Sequence, residues 1–168
     1  PMIQLTQVTK QYHRRGETVT AFQCDQLSIG KGEYVAVVGP SGSGKTTLLS
    51  LLGGMLSPTA GEVLLNGQSL YKLPPAARSA LRSECMGFVF QTFNLIPYLT
   101  ALQNVQIPLC LSKKMAINEQ IERATSLLVQ FGLADRLHHR PTELSVGQQQ
   151  RVALARTLVN NPQIILAD

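Results

Sequence analysis

Residues 39–46 read Gly39-Pro40-Ser41-Gly42-Ser43-Gly44-Lys45-Thr46, a match to the pattern G-x-x-x-x-G-K-[ST]. Glycines at this density let successive backbone N–H groups point inward at close range and form a nest for an anion. The flanks meet the demands of such a loop. Residues 34–38 are a continuous apolar run with three valines, which predicts a buried strand. After the loop, Leu48, Leu49, Leu51, Leu52 and Met55 recur at helical spacing, and Gly53, Gly54 and Pro58 end the run. A strand feeding a glycine-rich loop and then a helix aims a helix N-terminus at bound phosphate. Lys45 supplies a point charge for the β- and γ-phosphates of a triphosphate. The Thr46 hydroxyl is a hard oxygen ligand suited to Mg²⁺. With Thr47 these residues form the expected site for ATP with Mg²⁺.

Composition narrows the partners. A chain of 168 residues with 44% hydrophobic and 15% charged residues is expected to be one globular domain. The net charge of +5 comes from basic residues scattered along the chain, Arg15, Lys113 and Lys114 among them. No basic block is long enough for a nucleic-acid arm, so nucleic acid is not an expected partner. A basic surface gives weak support for anionic lipid head groups. Cys24, Cys85 and Cys110 have no C-x-x-C spacing and suggest neither zinc nor a disulfide framework. They read as reduced, mostly buried thiols of a cytosolic protein. The chain opens on no signal peptide, and no apolar run reaches the ~18 residues of a membrane span. Any membrane link is expected to run through a partner.

Elsewhere, alternation predicts strands over residues 3–8 and 21–29, with a charged loop over 13–18 between them. Residues 62–65 followed by Asn66-Gly67 predict a strand entering a tight hairpin. A short helix over 74–82 and a buried strand over 87–90 follow. From Thr92 the pattern turns helical. Pro97 and Pro108 bracket a short helix over about 101–105. Ile117, Ile121, Ala124, Leu128 and Phe131 mark an amphipathic helix closed by Gly132. A helix over 147–159 stops at Asn160-Asn161-Pro162, and a last strand covers 163–167. His138 and His139 read as solvated neighbours in a polar loop, not as metal ligands.

A second motif, Leu144-Ser145-Val146-Gly147-Gln148, continues into Gln149-Gln150-Arg151 and a helix. Ser145 is a good N-cap, and its hydroxyl and nearby N–H groups suit an anion. Downstream of the phosphate loop, and just before an apolar strand ending in Asp168, this arrangement resembles an ABC transporter ATPase along the whole chain. Leu144 to Gln148 resembles the family's signature motif, usually LSGGQ, with Val146 in place of the first glycine. Residues 164–168 resemble the Walker B strand, which puts Asp168 at the Mg²⁺ position. Gln91 resembles the glutamine that contacts the metal and the attacking water and faces the transmembrane partner. Tyr12 sits where the family places a ring that stacks on adenine. Residues 91–109, with His139-Arg140-Pro141-Thr142-Glu143-Leu144-Ser145, are similar to the lipoprotein-release, macrolide-export and cell-division group.

The resemblance implies an α/β fold, a P-loop NTPase (RecA-like) core over 1–91 and 148–168. That span includes an antiparallel β subdomain, and a helical subdomain is inserted over 92–147. It implies a homodimer packed head to tail, with each ATP between one subunit's phosphate loop and the other's Ser145, Gly147 and Gln148. Gln91, with Glu143 near the hinges, would pass motion to permease subunits on the cytoplasmic face of a membrane. Lys45, Gln91 and Ser145 are the expected catalytic groups, and Thr46, Gln91 and Asp168 the expected metal contacts. The family's catalytic glutamate, its switch histidine and a core strand between those of residues 34–38 and 163–167 would all follow Asp168. The chain as given is therefore expected to be incomplete for hydrolysis, and the 168 residues alone to be unstable. An ABC ATPase of the DNA-repair type is disfavoured, because the stretch from Gln91 to Ser145 is too short for a coiled-coil or zinc module.

Overall fold

Strands β1 (Ile3–Arg14) and β2 (Glu17–Ile29) form a long antiparallel hairpin in the computed structural model, which describes residues 1–14, 16–112 and 115–168, Arg14 by its backbone alone. The two strands run further than alternation suggested, β1 to Arg14 and β2 from Glu17. Four residues expected in a loop pair across the strands instead, His13 opposite Thr18 and Arg14 opposite Glu17, next to Tyr12 opposite Val19. Cross-strand hydrogen bonding outweighs the polar composition there. Arg15, Lys113 and Lys114 lie outside the described residues.

The described residues divide into two compact units, residues 1–79 with Asp168, and residues 80–167. In the first, an antiparallel sheet has the order β2-β1-β3-β4, with β3 at Ala60–Leu65 and β4 at Gln68–Ser69. Ile3 and Leu5 face the core, and Val8 does so too although it breaks the two-residue period. The ladder between β1 and β3 shifts between Thr6 and Thr9, and Gln7 has φ 50°. One extra residue at this bulge returns Val8 to the buried face. The hairpin predicted at Asn66-Gly67 is present, with φ 49° and 78°, the pair of positive values that a two-residue turn requires. Helix α1 (Lys45–Leu52) buries Leu48, Leu51 and Leu52, and the N–H of Gly53 closes it on the carbonyl of Leu49.

Residues 34–38 depart from expectation. They form no strand, and Tyr34 is 96% and Val38 88% exposed. An apolar run favours burial, but a strand exists only where a neighbour accepts its hydrogen bonds. Among the described residues none pairs with this segment.

The second unit holds helix α2 (Pro75–Cys85) across its boundary, then a two-stranded parallel sheet of β5 (Met86–Val89) and β6 (Ile164–Ala167). Helices α3 (Ala101–Ser112), α4 (Ile117–Gln130) and α5 (Val146–Leu158) complete it. Their core is Val105 and Leu109 from α3, Ala124 and Leu128 from α4, and Val152 and Ala155 from α5. Full burial of each leucine contributes about 1.5–3 kcal/mol. Helix α3 does not stop before Pro108, which lies inside it. The proline removes one N–H bond to the carbonyl four residues back, yet complete burial of Leu109 carries the helix onward. The stripe of α4 is narrower than its spacing implied, since Ile117 is 72% exposed while Gln120 is buried. None of the three cysteines is buried. Cys24 and Cys85 are half-buried, Cys110 is exposed, and among the described residues none of the three forms a disulfide.

Candidate functional site

The phosphate-loop sequence closes on itself around Lys45. The Lys45 Nζ donates to the carbonyls of Gly39 and Pro40, each at 2.8 Å, and reaches Ser43 Oγ at 3.4 Å. A turn from Ser43 N–H to the Pro40 carbonyl, 3.2 Å, sets the curvature. Gly44 begins α1 with φ 91°, and a Cβ there would stand 2.5 Å from the Ala21 carbonyl oxygen of β2. Only glycine fits that position on both counts. The first backbone bond of the helix runs from Leu48 N–H to the Gly44 carbonyl. The N–H groups of Lys45, Thr46 and Thr47 therefore have no acceptor within the helix and crowd its positive end. Pro40, Ser41, Gly42 and Ser43 are exposed, so the concavity is open to a ligand.

Two residues far apart in sequence meet beside this loop. Thr46 Oγ1 donates to Asp168, 3.1 Å from Oδ2 and 3.3 Å from Oδ1. A hydroxyl and a carboxylate at such range are hard oxygen donors, and they fit Mg²⁺, which takes one or two protein oxygens and fills its other positions with phosphate and water. Among the described residues no cluster of three His, Cys, Asp or Glu side chains is arranged to hold a metal. A cation here would depend on the phosphates it accompanies.

Tyr12 lies on β1, not in a loop, and is half-exposed, with Lys10 Nζ 5.1 Å from its ring centroid. Gln91 is exposed just after β5. The segment that follows was not legible in the sequence. Phe93 and Asn94 have φ 58° and 46°, and two side-chain donations from Arg156 of α5 reach their carbonyls.

Ser145 caps α5 as its residue type predicted. Its Oγ accepts from Gln148 N–H at 3.2 Å, and Gln148 Oε1 accepts in return from Ser145 N–H at 2.9 Å. The hydroxyl accepts here, so its own proton remains available to an outside acceptor. Val146 is 70% exposed, and a Cβ added at Gly147 would touch nothing. The start of α5 thus presents an open surface. Glu143 accepts from Arg140 N–H at 2.6 Å and fixes the turn that leads into Leu144.

Asn104 has no counterpart in any motif. It is fully buried on α3, where its Oδ1 accepts from Ile96 N–H and its Nδ2 donates to the carbonyls of Ile96, Leu99 and Thr100. The signal available in the sequence was a polar residue in line with Ala101 and Val105, on the apolar face.

A family model described as ABC transporter matches residues 22–168. The macrolide export ATP-binding/permease protein MacB of Hyphomonas neptunium is 46% identical over all 168 residues, which span 26% of that protein. Two solved structures superpose with a TM-score of 0.91 at 45% identity, covering 99% of this chain and 73% of theirs. One is a dimeric post-hydrolysis state of the ATP-binding cassette MJ0796 bound to ADP and Pi, the other a dimeric structure of the same cassette, described as a bacterial ABC transporter cassette. The chain spans about a quarter of the length of the curated relative. With the phosphate loop, the capped α5 and the carboxylate beside Thr46 all in one sequence, the chain belongs to the ABC transporter ATPase family and carries its P-loop NTPase cassette fold.

Proposed function

We propose that residues 39–47 bind MgATP, and that the chain is the ATP-binding part of a protein that hydrolyses ATP between two such cassettes with groups that follow Asp168 in the family, driving transport or extraction through permease subunits. The observation that carries this reading is the meeting of Thr46 and Asp168 at 3.1 Å beside the uncapped end of α1. The N–H groups of Gly42, Ser43 and Gly44 and of the first helical turn would wrap the phosphates. Lys45 would exchange its loop carbonyls for the β- and γ-phosphate oxygens. Thr46 and Asp168 would hold Mg²⁺, which when bound neutralises charge on the phosphates. Tyr12 would stack on adenine. Gln91 would orient the attacking water, and Ser145, with the Gly147 N–H and Gln148, would meet the γ-phosphate bound by the partner copy. Such catalysis rests on positioning and charge neutralisation, not on covalent chemistry.

The similarity to MacB, whose name joins an ATP-binding part to a permease, and to a dimeric cassette supports this reading. Among the described residues no helix is long and apolar enough to cross a membrane. We assign residues 92–147 to the segment that passes motion to the permease, and place the protein on the cytoplasmic face through that contact. The test is turnover of MgATP by the full-length protein over a range of protein concentrations. A rate per subunit that rises with concentration, and light scattering that shows an ATP-dependent dimer, are expected. Failure to bind ATP in the presence of Mg²⁺ overturns the reading.

A further inference from the structure

The loop that carries Gln91 is tied to helix α5 by one side chain. Arg156 Nη1 donates to the Asn94 carbonyl at 2.7 Å, and Nη2 to the Phe93 carbonyl at 2.6 Å. These are short, charge-assisted bonds, and the planar fork reaches two successive carbonyls that only an unusual backbone turns to the same side. Phe93 at φ 58° and Asn94 at φ 46° supply that backbone. Asparagine tolerates the left-handed region, but phenylalanine does so rarely, so the loop holds this shape only while something outside it rewards it. Within the loop, Phe93 N–H meets the Phe90 carbonyl at 3.0 Å, Asn94 N–H meets the Thr92 carbonyl at 2.6 Å, and Thr92 Oγ1 donates to Asn94 Oδ1 at 2.8 Å. The Phe93–Phe90 bond closes a turn that contains Gln91, the other contacts hold the residues just after it, and Gln91 itself stays exposed.

The same helix grips the strand before the loop. Thr157 Oγ1 lies 2.7 Å from the Phe88 carbonyl, and a Cβ on Gly87 would come within 2.6 Å of Thr157 Cγ2. Helix α5 therefore touches the chain on both sides of Gln91, at Phe88 and at Phe93-Asn94. Burial on α5 lowers the pKa of the Arg156 guanidinium from its ordinary value, and it remains a cation. The other end of α5, eleven residues and about 16 Å away at 1.5 Å per residue, is the Ser145 cap.

We propose that Arg156 is a positioning residue that fastens the Gln91 loop to α5, so that the loop and the Ser145 end of the helix move as one body. The proposal rests on the roles given above to Gln91 and Ser145 for its effect on turnover, but the fastening itself does not. A lysine at this position keeps the charge and reaches one carbonyl at a time, and a methionine reaches neither.

Amide hydrogen exchange in the full-length protein, measured without nucleotide, tests the fastening directly. In Arg156→Met, amides of residues 91–95 are expected to exchange at least ~10-fold faster while those of α4 keep their protection, with Arg156→Lys between. Unchanged loop exchange overturns the proposal, as does faster exchange throughout α3, α4 and α5, which marks a general structural role. Turnover tests the consequence. Arg156→Met is expected to lower the ATPase kcat ~10- to 100-fold with the ATP dissociation constant within ~3-fold, and to add nothing further in a Gln91→Ala background. Multiplicative losses in the double variant overturn the coupling to Gln91. A wild-type protein that binds no ATP overturns the proposed function instead, and hydrogen exchange still decides whether Arg156 holds the loop.

Discussion

Thr46 and Asp168, separated by 122 positions in sequence, lie 3.1 Å apart from hydroxyl to carboxylate. Thr46 is the second residue of α1, and Asp168 directly follows β6. Both residues belong to the first unit, and the contact sets a carboxylate beside the glycine-rich loop, a pair of oxygens that suits a phosphate-bound Mg²⁺. Thr46→Val removes one oxygen donor and leaves the loop N–H groups in place. ATP affinity in EDTA is expected to hold, while the gain on adding Mg²⁺ falls by roughly 10-fold. Titration calorimetry with and without Mg²⁺ reads both. An unchanged Mg²⁺ effect in Thr46→Val and in Asp168→Asn removes the pair from metal binding.

Lys45 has three oxygens of its own loop around its ammonium. Bound phosphate would replace them with anionic partners, each worth about 1.5–3 kcal/mol. Lys45→Ala is expected to weaken ATP binding at least ~100-fold, as read by equilibrium dialysis. Unchanged affinity removes Lys45 from its role.

Ser145 is exposed in the second unit and caps α5. If it acts on the partner copy's nucleotide, Ser145→Arg leaves ATP binding by the monomer within ~3-fold and lowers hydrolysis at least ~100-fold. The cap is lost as well, which costs about 1 kcal/mol. Ser145→Asn keeps the cap and separates the two effects, since it is expected to restore stability but not turnover. Monomer binding that falls in parallel with turnover contradicts action in trans.

Asn104 satisfies one N–H and three carbonyls in a place with no water access. Asn104→Ala strands the Ile96 N–H and the Leu99 carbonyl, at about 1–3 kcal/mol for each group left dry. The Ile96 and Thr100 carbonyls keep the N–H groups of Leu99 and Asn104. A loss of roughly 2–4 kcal/mol is expected in urea unfolding, with ATP affinity of the folded protein unchanged. A loss below about 1 kcal/mol means that the loop over 96–100 finds other partners.

Residues 34–38 expose Tyr34 and Val38 and offer backbone donors and acceptors to any passing strand. Such an edge templates association. The 168-residue chain on its own is expected to aggregate at micromolar concentration in multi-angle light scattering. A monodisperse monomer with a cooperative thermal transition shows that the segment is covered in solution.

The sequence by itself determined the local pieces, because each is fixed by interactions within a few residues. Asn66-Gly67 dictated its turn through positive φ, and Ser145 with Gln148 dictated its cap through a four-residue reach. The glycines and Lys45 dictated a loop that needs no distant partner to close. The run over 34–38 carried the composition of a strand but not the neighbour a strand requires, so its fate lay outside its own residues. Pro108 inside α3 was decided in the same way, by the complete burial of Leu109, which no local preference reports. Only the tertiary structure brought Asp168 to Thr46 and Arg156 to the carbonyls of Phe93 and Asn94. A side chain that bonds backbone carbonyls 62 and 63 positions away leaves no period or motif in the sequence, because any residue at those positions supplies the same carbonyl.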